Sequence, residues 1–319
     1  MLYLTESDVR DLLPMPDCIG LMQSAFARLA AGKAANQPRR RLILPTGSVL
    51  HYMAASDGEY YGAKIYATNP RHGAHFLFLL YRAADAEPLA LLEANHLGQI
   101  RTGAASGLAT RFLAREDASI LAVIGSGFQA RTQLEAMLAV RKIAEVRVWS
   151  RDPAKRAAFA AGSTERFGTP VRAVETAEEA VRGADIVVTA TFAKEPVLAA
   201  EWVAAGAHIN AMGSNQAGRR EIPAEMVRRA DSIVVDSIEQ ARMESGDLLM
   251  AFDDHDWTSP RLVELQDVVS GRSPARTRPE QVTLFKSVGL AVEDVIAAGF
   301  VYQRALASGR GSPVAADHS

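Results

Sequence analysis

The stretch Leu121-Ala122-Val123-Ile124-Gly125-Ser126-Gly127-Phe128-Gln129-Ala130 decides the fold of this 319-residue chain. A short apolar strand runs into Gly-x-Gly-x-x-Ala, and an amphipathic segment, 131–140, follows it. In such a pattern Gly125 allows a tight turn, Gly127 lets the backbone approach a pyrophosphate, and the small Ala130 lets a helix pack closely on the strand. The helix N-terminus then faces the phosphates. The stretch therefore predicts a dinucleotide-binding turn.

The composition is that of an ordinary globular protein of about two domains. Hydrophobic residues make up 48% and charged residues 23% of the chain, and its formal net charge of -2 offers no basic excess for nucleic acid. Apolar runs such as 76–80 are too short to cross a membrane, and the N-terminus lacks a basic region followed by an apolar core. We therefore predict a cytoplasmic protein that binds neither membrane nor nucleic acid. Cys18 is the only cysteine, so no intrachain disulfide can form, and we expect it in the core.

Two patterns divide the chain. The first hundred residues predict two helices followed by extended segments with turns between them, which is typical of a mainly antiparallel sheet. From residue 119 onward strands alternate with helices, which indicates a parallel sheet covered on both faces. We predict an α/β protein in which a Rossmann-type doubly wound parallel sheet, 116–295, is inserted in an α+β domain, 1–115 plus 296–319. The final helix, about 288–306, is expected to pack on the N-terminal module, and the tail, 309–319, is predicted to be disordered.

The predicted strands of the two modules are short. Those of the first module are 41–44, 49–54, 61–66, 76–81 and 89–93, and those of the second are 120–124, 146–149, 171–174, 186–189, 208–211 and 233–235.

The end of the second parallel strand bears on the choice of cofactor. At this point an acidic side chain normally hydrogen-bonds the adenosine ribose and selects NAD. Here the strand ends in Ser150-Arg151, and the guanidinium of Arg151 suits a 2'-phosphate through charge-assisted hydrogen bonds. We therefore favour NADP(H), with NAD(H) as the alternative. In that alternative Arg151 is a solvated surface residue, and Asp152 reaches the ribose or caps the next helix.

Several separated motifs follow one another in an order that points to a family. They are Tyr61-Gly62-Ala63-Lys64, Ile100-Arg101-Thr102-Gly103-Ala104-Ala105-Ser106, the glycine turn ending in Gln129-Ala130, Glu201-Trp202-Val203 with Gly206-Ala207-His208-Ile209-Asn210, Glu244-Ser245-Gly246-Asp247 and Thr283-Leu284-Phe285-Lys286-Ser287-Val288-Gly289. With them nearly the whole chain resembles the ornithine cyclodeaminase/mu-crystallin family, which includes an archaeal-type alanine dehydrogenase and several ketimine and imine reductases.

The resemblance implies an NAD(P)-dependent oxidoreductase that acts on the C–N bond of a small imino or amino acid. It implies a Rossmann domain inserted in a substrate-binding and dimerisation domain, with the active site between them, and a homodimer. Ketimine or imine reduction with NADPH is the favoured reaction, and the same machinery run in reverse is an amino acid dehydrogenase.

The resemblance also implies which residues hold the substrate carboxylate. Lys64, on a predicted strand, and Arg101, at a predicted helix start, are joined by Arg40 or Arg41 after Pro38. An arginine suits bidentate binding of a carboxylate, and a lysine acts as a point charge. Because neighbouring residues of a strand face opposite sides, Arg40 points away from Arg39 and Arg41. Arg40 is preferred, and Arg41 remains open.

Further candidates concern the cofactor. Thr102 and Gln129 are expected near the phosphates or the nicotinamide. Thr189 and Thr191 lie at the end of the fourth parallel strand, where doubly wound sheets bind ligands. Ser287 and Val288 are expected to flank the nicotinamide, and Val288 is also assigned to the substrate. Each hydroxyl has an alternative role as a helix cap or strand-end group. The predicted cofactor-binding residues are Thr102, Gly125, Gly127, Phe128, Gln129, Ser150, Arg151, Thr189, Thr191, Met212, Gly213 and Ser287.

Two positions depart from the cyclodeaminase branch of the family. Asn215 stands where that branch has an aspartate assigned as the catalytic base, and an amide cannot take a proton near neutral pH. His51 replaces a glutamate. Both changes argue against ornithine cyclisation with bound NAD, which remains the alternative activity. We expect Asn215 to orient the substrate amine or the nicotinamide, and His51 to donate a proton or else to be a structural histidine.

Two other possibilities receive less weight. Neither His72 with His75 nor the acidic run 253–256 shows further ligands at a recognisable spacing, so no metal site is predicted. As mu-crystallin illustrates, the scaffold also suits a non-catalytic protein that binds NADPH or a small ligand. The intact Lys64, Arg101 and Thr102 favour an enzyme.

Overall fold

The computed structural model of the protein describes residues 1–274 and 276–314. The chain divides into two compact units, one formed by Met1–Arg101 together with the chain from Leu290 onward, and one formed by Thr102–Gly289. The sequence placed the domain boundaries after residues 115 and 295 instead. The first observed boundary lies inside one continuous helix, Asn95–Leu113, so no break in the sequence pattern marks it.

The N-terminal segment of the first unit contains two helices and most of a sheet. Its elements are β1 (Leu2–Leu4), α1 (Glu6–Leu12), α2 (Met15–Ala30), β2 (Ala35–Asn36), β3 (Arg40–Ile43), β4 (Val49–Ser56), β5 (Tyr60–Asn69), β6 (Gly73–Arg82), β7 (Pro88–Glu93) and the start of α3 (Asn95–Leu113).

The second unit alternates strands with helices, as predicted. After the remainder of α3 it contains β8 (Ile120–Ile124), α4 (Phe128–Val140), β9 (Glu145–Trp149), α5 (Pro153–Phe167), β10 (Val171–Ala173), α6 (Ala177–Val181), β11 (Ile186–Thr189), β12 (His208–Ala211), α7 (Ala224–Arg229), β13 (Ser232–Val235), α8 (Ile238–Glu244), α9 (Gly246–Leu249), β14 (Leu262–Glu264), α10 (Leu265–Val269) and β15 (Thr283–Lys286). The chain then returns to the first unit through α11 (Ala291–Ser308) and β16 (Ser312–Pro313).

The sheet of the first unit is mainly antiparallel. Its order is β16-β1-β7-β6-β5-β4-β2, with β3 also paired to β4, and only the β1 and β7 pair is parallel. Helix α11 packs on β4, β5 and α2, so the prediction that the last helix joins the N-terminal module is correct. Cys18 is buried in α2, as expected.

The sheet of the second unit is parallel throughout, in the order β10-β9-β8-β11-β12-β15-β13-β14. Its central strands are buried along their whole length, from Leu121–Ile124 in β8 to Thr283–Lys286 in β15, because helices cover both faces of such a sheet. The doubly wound arrangement is therefore confirmed. The order reverses between β8 and β11, which is where doubly wound sheets bind their ligands.

Several elements were not predicted. Strands β1, β14 and β15, of three or four residues each, were not among the predicted strands. In the sheet, β15 lies between β12 and β13, two strands that precede it in the chain. The predicted disorder of 309–319 is wrong for Ser312–Pro313, which pair with β1; residues 315–319 lie outside the described part of the chain. Among the described residues no helix is long and apolar enough to cross a membrane.

Candidate functional site

The glycine turn after β8 has the geometry of a phosphate cradle. Gly125 adopts φ +121°, and a Cβ there would come within 2.4 Å of the carbonyl oxygen of Ala190, so only glycine fits. Gly127 precedes the first turn of α4 with extended backbone, and no described atom lies within 4 Å of the place that its Cβ would take. The N-terminal amides of α4 thus border open space, which is the arrangement that binds a pyrophosphate.

A cleft of about 1060 Å³ extends from this turn along the carboxyl ends of β9 and β11. Ser150, Arg151 and Thr191 all line it. The side chain of Arg151 is exposed, whereas Asp152 caps α5 by accepting a hydrogen bond from the backbone N–H of Lys155 at 3.1 Å. The position of Arg151 in the cleft therefore fits the cofactor role predicted for it, and Asp152 has the helix-capping role considered as an alternative.

The flanking candidates of the glycine turn differ in exposure. Phe128 is largely exposed at the start of α4. Gln129 is half-buried, and its Oε1 accepts no hydrogen bond within the described residues. Thr102 is buried in α3, and its carbonyl accepts a hydrogen bond from Gln133 Nε2 at 3.2 Å. The hydroxyl of Ser126 donates to that of Ser150 at 2.9 Å, which links the turn to the end of β9.

The ends of β11 and β12 are joined by a carboxylate that sequence reasoning missed. Glu221 is fully buried and accepts hydrogen bonds from the hydroxyls of Thr189 and Thr191 at 2.8 and 2.7 Å. It also accepts from the backbone N–H groups of Thr191 and Gly213, both at 2.6 Å. Both predicted threonine hydroxyls are therefore bound by the protein itself. No motif marks Glu221, because only the fold brings its loop to these strand ends.

A buried ion pair lies next to Glu221. Lys286, at the end of β15, is 2.9 Å from Asp247 and donates to the carbonyl of Ser214 at 2.6 Å. The other oxygen of Asp247 accepts from the backbone N–H groups of Glu221 and Ile222 at 2.6 and 3.1 Å. The loop that contains Met212, Gly213 and the half-buried Asn215 is thus held from two sides.

The segment that follows β15 is held by another buried carboxylate. Asp236, at the end of β13, accepts hydrogen bonds from the Ser287 hydroxyl at 2.8 Å and from the N–H groups of Val288 and Gly289 at 2.8 and 2.6 Å. Burial raises the pKa of Asp236, and these donors act in the opposite direction. The hydroxyl of Ser287 is therefore bound by Asp236.

The predicted cations of the first unit form one buried cluster with two acidic residues of α11. Lys64, in β5, lies 2.6 Å from Asp294 Oδ2, and Arg101, in α3, lies 3.1 Å from Asp294 Oδ1 and 2.7 Å from Glu293 Oε2. Burial, followed by the charge of Arg101, lowers the pKa of Lys64 to about 8, although Asp294 acts to raise it. Arg101 lies within α3 instead of at a helix start. The sequence did not reveal either acidic partner.

The three arginines considered from the sequence differ in burial. Arg39, which precedes β3, is buried, whereas Arg40, the first residue of β3, is exposed. Arg39 is close enough to Lys64 to lower its pKa, and Arg41, opposite His51 in the β3–β4 pair, is half-buried. Arg39 is therefore the one of the three that is buried near Lys64, and the preference for Arg40 as a substrate ligand stays a prediction.

His51 lies on the same sheet but is a poor proton donor. It is buried, its ring stacks on Tyr66 with centroids 4.3 Å apart, and its Nε2 is 3.0 Å from the Thr68 hydroxyl. Burial, followed by the charges of Arg41 and Arg39, lowers its pKa to about 4. The imidazole is therefore neutral near pH 7, and the structural role considered as an alternative fits it better.

The described residues contain no group of three or more His, Cys, Asp or Glu side chains that could hold a metal ion. A parallel sheet with a glycine turn, an open helix N-terminus and a cleft at its strand ends defines a dinucleotide-binding protein. The chain belongs to the ornithine cyclodeaminase/mu-crystallin family, whose model matches residues 1–309.

Similar proteins span the whole chain. A Δ1-pyrroline-2-carboxylate reductase of Bacillus cereus is 36% identical over 98% of this chain and 99% of its own. The structure of the Thermococcus litoralis Δ1-pyrroline-2-carboxylate reductase with NADH and L-proline has a TM-score of 0.93 at 36% identity and covers 98% of this chain and 100% of that one. An archaeal alanine dehydrogenase dimer with bound NAD has a TM-score of 0.92 at 32% identity, with 99% of each chain covered. The predicted family and enzyme class, an oxidoreductase of imino or amino acids, are confirmed.

Proposed function

We propose that this protein is a reductase of small 2-imino acids that uses a nicotinamide dinucleotide, with a cyclic ketimine such as Δ1-pyrroline-2-carboxylate as the substrate class. The observation that carries the proposal is the burial of Lys64 and Arg101 against one shared carboxylate, Asp294. Burying a cation costs free energy unless the cation is paired. Here two cations lie on the same carboxylate, and both belong to motifs that the family uses to bind substrate. The identity to two pyrroline-2-carboxylate reductases supports the same substrate class.

The first contribution of the cluster is to bind and orient. Arg101 presents a planar guanidinium, and Lys64 a compact charge, to the carboxylate of an imino acid. Asp294 and Glu293 hold both cations in place before the substrate arrives, so little orientation has to be gained on binding. Arg39 supplies a third positive charge from the strand edge. A substrate carboxylate at this cluster would also favour the protonated form of Lys64.

The second contribution is a proton for the imine nitrogen. A group that donates protons efficiently has a pKa near the working pH. Lys64, with its pKa lowered to about 8, meets this condition, whereas His51, with a pKa of about 4, does not. We therefore assign the proton to Lys64 in place of His51. Asn215 keeps the orienting role predicted for it.

The glycine turn, the N-terminus of α4 and the cleft along β9 and β11 would hold the dinucleotide, with Gly125, Gly127, Ser150 and Arg151 as its nearest residues. When bound, this cofactor supplies a hydride to the substrate, or accepts one in the reverse direction. The two solved structures described above contain NADH and NAD. For this chain we propose NADP(H), because a neutral Ser150 and an exposed Arg151 stand at the end of β9, where an acidic residue would select NAD.

The decisive experiment follows oxidation of NADPH and of NADH with preformed cyclic imines and with 2-oxo acids plus ammonia or methylamine. We expect oxidation with a cyclic 2-imino acid. Ornithine with NAD is assayed for proline in parallel, and proline formation without net cofactor change would replace our proposal with the cyclodeaminase reaction. A sample that binds NADPH but turns over none of these substrates would indicate the non-catalytic binding protein.

A further inference from the structure

The hydrogen-bond donors around Glu221 favour its ionised form. Each of its oxygens accepts a backbone N–H, Oε1 from Thr191 and Oε2 from Gly213, and each also accepts a threonine hydroxyl. A backbone N–H can only donate, so each oxygen of Glu221 meets one fixed donor, and hydrogen bonds of this kind favour the charged form of a carboxyl group. Burial, and to a smaller extent the charge of Asp247, raises the pKa of Glu221, while Lys286 and the Thr191 hydrogen bonds oppose that rise.

The backbone at Gly213 packs directly against Glu221 and Thr191. A Cβ at Gly213 would come within 2.3 Å of Glu221 Oε1 and within 2.2 Å of the Thr191 carbonyl oxygen. Glycine at 213 is therefore what lets the two strand-end loops close on one carboxylate. Thr191 lines the cleft, so Glu221 fixes part of the cleft wall from behind.

The charges around Glu221 do not cancel. As formal charges, Glu221 and Asp247 are both negative, and Lys286, which forms an ion pair with Asp247, is positive. All three side chains are at most 1% exposed. The group as a whole therefore has a formal charge of one negative unit, and a charge that is shielded from water acts over a longer distance than one at the surface.

The position of this charge relative to the strand order matters for the cofactor. In a doubly wound sheet the dinucleotide crosses the point where the strand order reverses, with its adenosine half at the second strand, here β9. Its other half then extends towards the ends of β11 and β12, which Glu221 joins. The nicotinamide ring carries a positive charge when oxidised and none when reduced.

We infer that Glu221 is a positioning residue that fixes the strand-end loops of β11 and β12 and makes the protein favour the oxidised over the reduced dinucleotide. This inference rests on the proposed dinucleotide site. In the direction of reduction it makes the bound cofactor a better hydride donor, because the charge that develops on the ring is stabilised.

Equilibrium binding to the full-length protein tests this inference. The dissociation constants of the oxidised and reduced forms of one cofactor, NADP or NAD, whichever the wild type binds more tightly, are measured by calorimetry. Glu221→Gln removes the charge and keeps one acceptor oxygen, whereas Lys286→Met removes the compensating positive charge at similar length. Glu225→Gln, an exposed glutamate in α7, is the matched control.

We expect Glu221→Gln to weaken binding of the oxidised form relative to the reduced form by a factor on the order of threefold to tenfold, the size expected for one unit charge acting through a protein interior. Lys286→Met should change the ratio in the opposite direction, and Glu225→Gln should not change it. If Glu221→Gln does not fold, the direction of the Lys286→Met change decides.

Equal weakening of both forms in the two variants would overturn the inference, since a purely structural role predicts that result. Absence of binding of either form to the wild type would instead overturn the proposed dinucleotide site. The two failures are therefore distinguishable.

Discussion

Lys64 Nζ donates a hydrogen bond to Asp294 Oδ2 at 2.6 Å, although the two residues are 230 positions apart in the chain. The other oxygen of Asp294 accepts from Arg101 Nε at 3.1 Å. One carboxylate on α11 therefore holds two cations that come from β5 and α3. The last helix of the chain is in this way part of the buried cluster for which we propose substrate binding, and not only part of the hydrophobic core.

Asp294→Asn should shift the alkaline limb of the pH profile to lower pH. Asp294 raises the pKa of Lys64 against burial and the charge of Arg101, so its removal brings that pKa below about 8. If protonated Lys64 binds the substrate carboxylate, kcat/KM should begin to fall about one pH unit or more earlier than in the wild type. Steady-state rates between pH 6 and pH 10, a range centred on about 8, measure the shift.

The control for this variant is Asp11→Asn, at an exposed aspartate of α1 that pairs with Arg310. It removes the same charge from the first unit without touching Lys64. An alkaline limb that stays in place in Asp294→Asn would contradict the assignment of Lys64.

Arg39→Met and Arg40→Met form a matched pair. Arg39 is buried beside the cluster and Arg40 is exposed, so only the first should affect substrate binding. We expect Arg39→Met to raise KM for the imino acid by roughly tenfold or more, because a charge-assisted hydrogen bond contributes about 1.5–3 kcal/mol. Arg40→Met should leave KM unchanged within about twofold. The reverse pattern would restore Arg40 as the carboxylate ligand.

The sequence predicted the parts of the site that depend on local pattern. The glycine turn, the flanking strands and the cations Lys64 and Arg101 all lie in motifs of a few residues. Glu221 and Asp294 were not predicted, because each acts on residues from other elements and nothing in its own neighbourhood signals this. The sequence could not decide which of Arg39, Arg40 and Arg41 is buried for a related reason: alternation gives two faces but does not say which one the sheet buries.

Arg151→Ala should weaken NADPH binding far more than NADH binding. The side chain is exposed in the cleft at the end of β9, where a 2'-phosphate would add a charge-assisted bond. We expect roughly a tenfold or greater rise in the NADPH dissociation constant, with NADH as the internal control. Fluorescence titration measures both. An unchanged preference in Arg151→Ala, together with weaker NADH binding in Asp152→Asn, would assign the ribose to Asp152 instead.

The outer face of the first unit's sheet should mediate a homodimer. Tyr52, Ile65 and Leu77 lie opposite one another on β4, β5 and β6, and all are exposed. Leu42 and Leu50, which pair with each other two residues before Tyr52 on β4, add to this apolar patch. Contiguous exposed apolar patches of this kind mark interfaces. Ile65→Asp should therefore halve the mass seen in sedimentation. Leu306→Asp, at an exposed leucine of α11, should not, and a wild type that sediments as a monomer would refute the assignment.

His208 should make the folded protein sensitive to acid. It is fully buried in β12 with its Nδ1 3.0 Å from the Thr283 hydroxyl, and burial, followed by the charge of Arg276, lowers its pKa from 6.5 to about 3. Below pH 6.5 the unfolded chain takes up a proton at this histidine that the folded chain does not. The free energy of unfolding should therefore decrease as the pH falls towards 3, by up to about 1.4 kcal/mol per pH unit from this residue. His208→Gln, which retains a partner for Thr283, should reduce this dependence of the unfolding free energy on pH, measured by urea unfolding from pH 7 downward. The control His255→Gln, at an exposed histidine, should leave the dependence unchanged. A wild-type dependence in His208→Gln would mean that other groups cause the acid sensitivity.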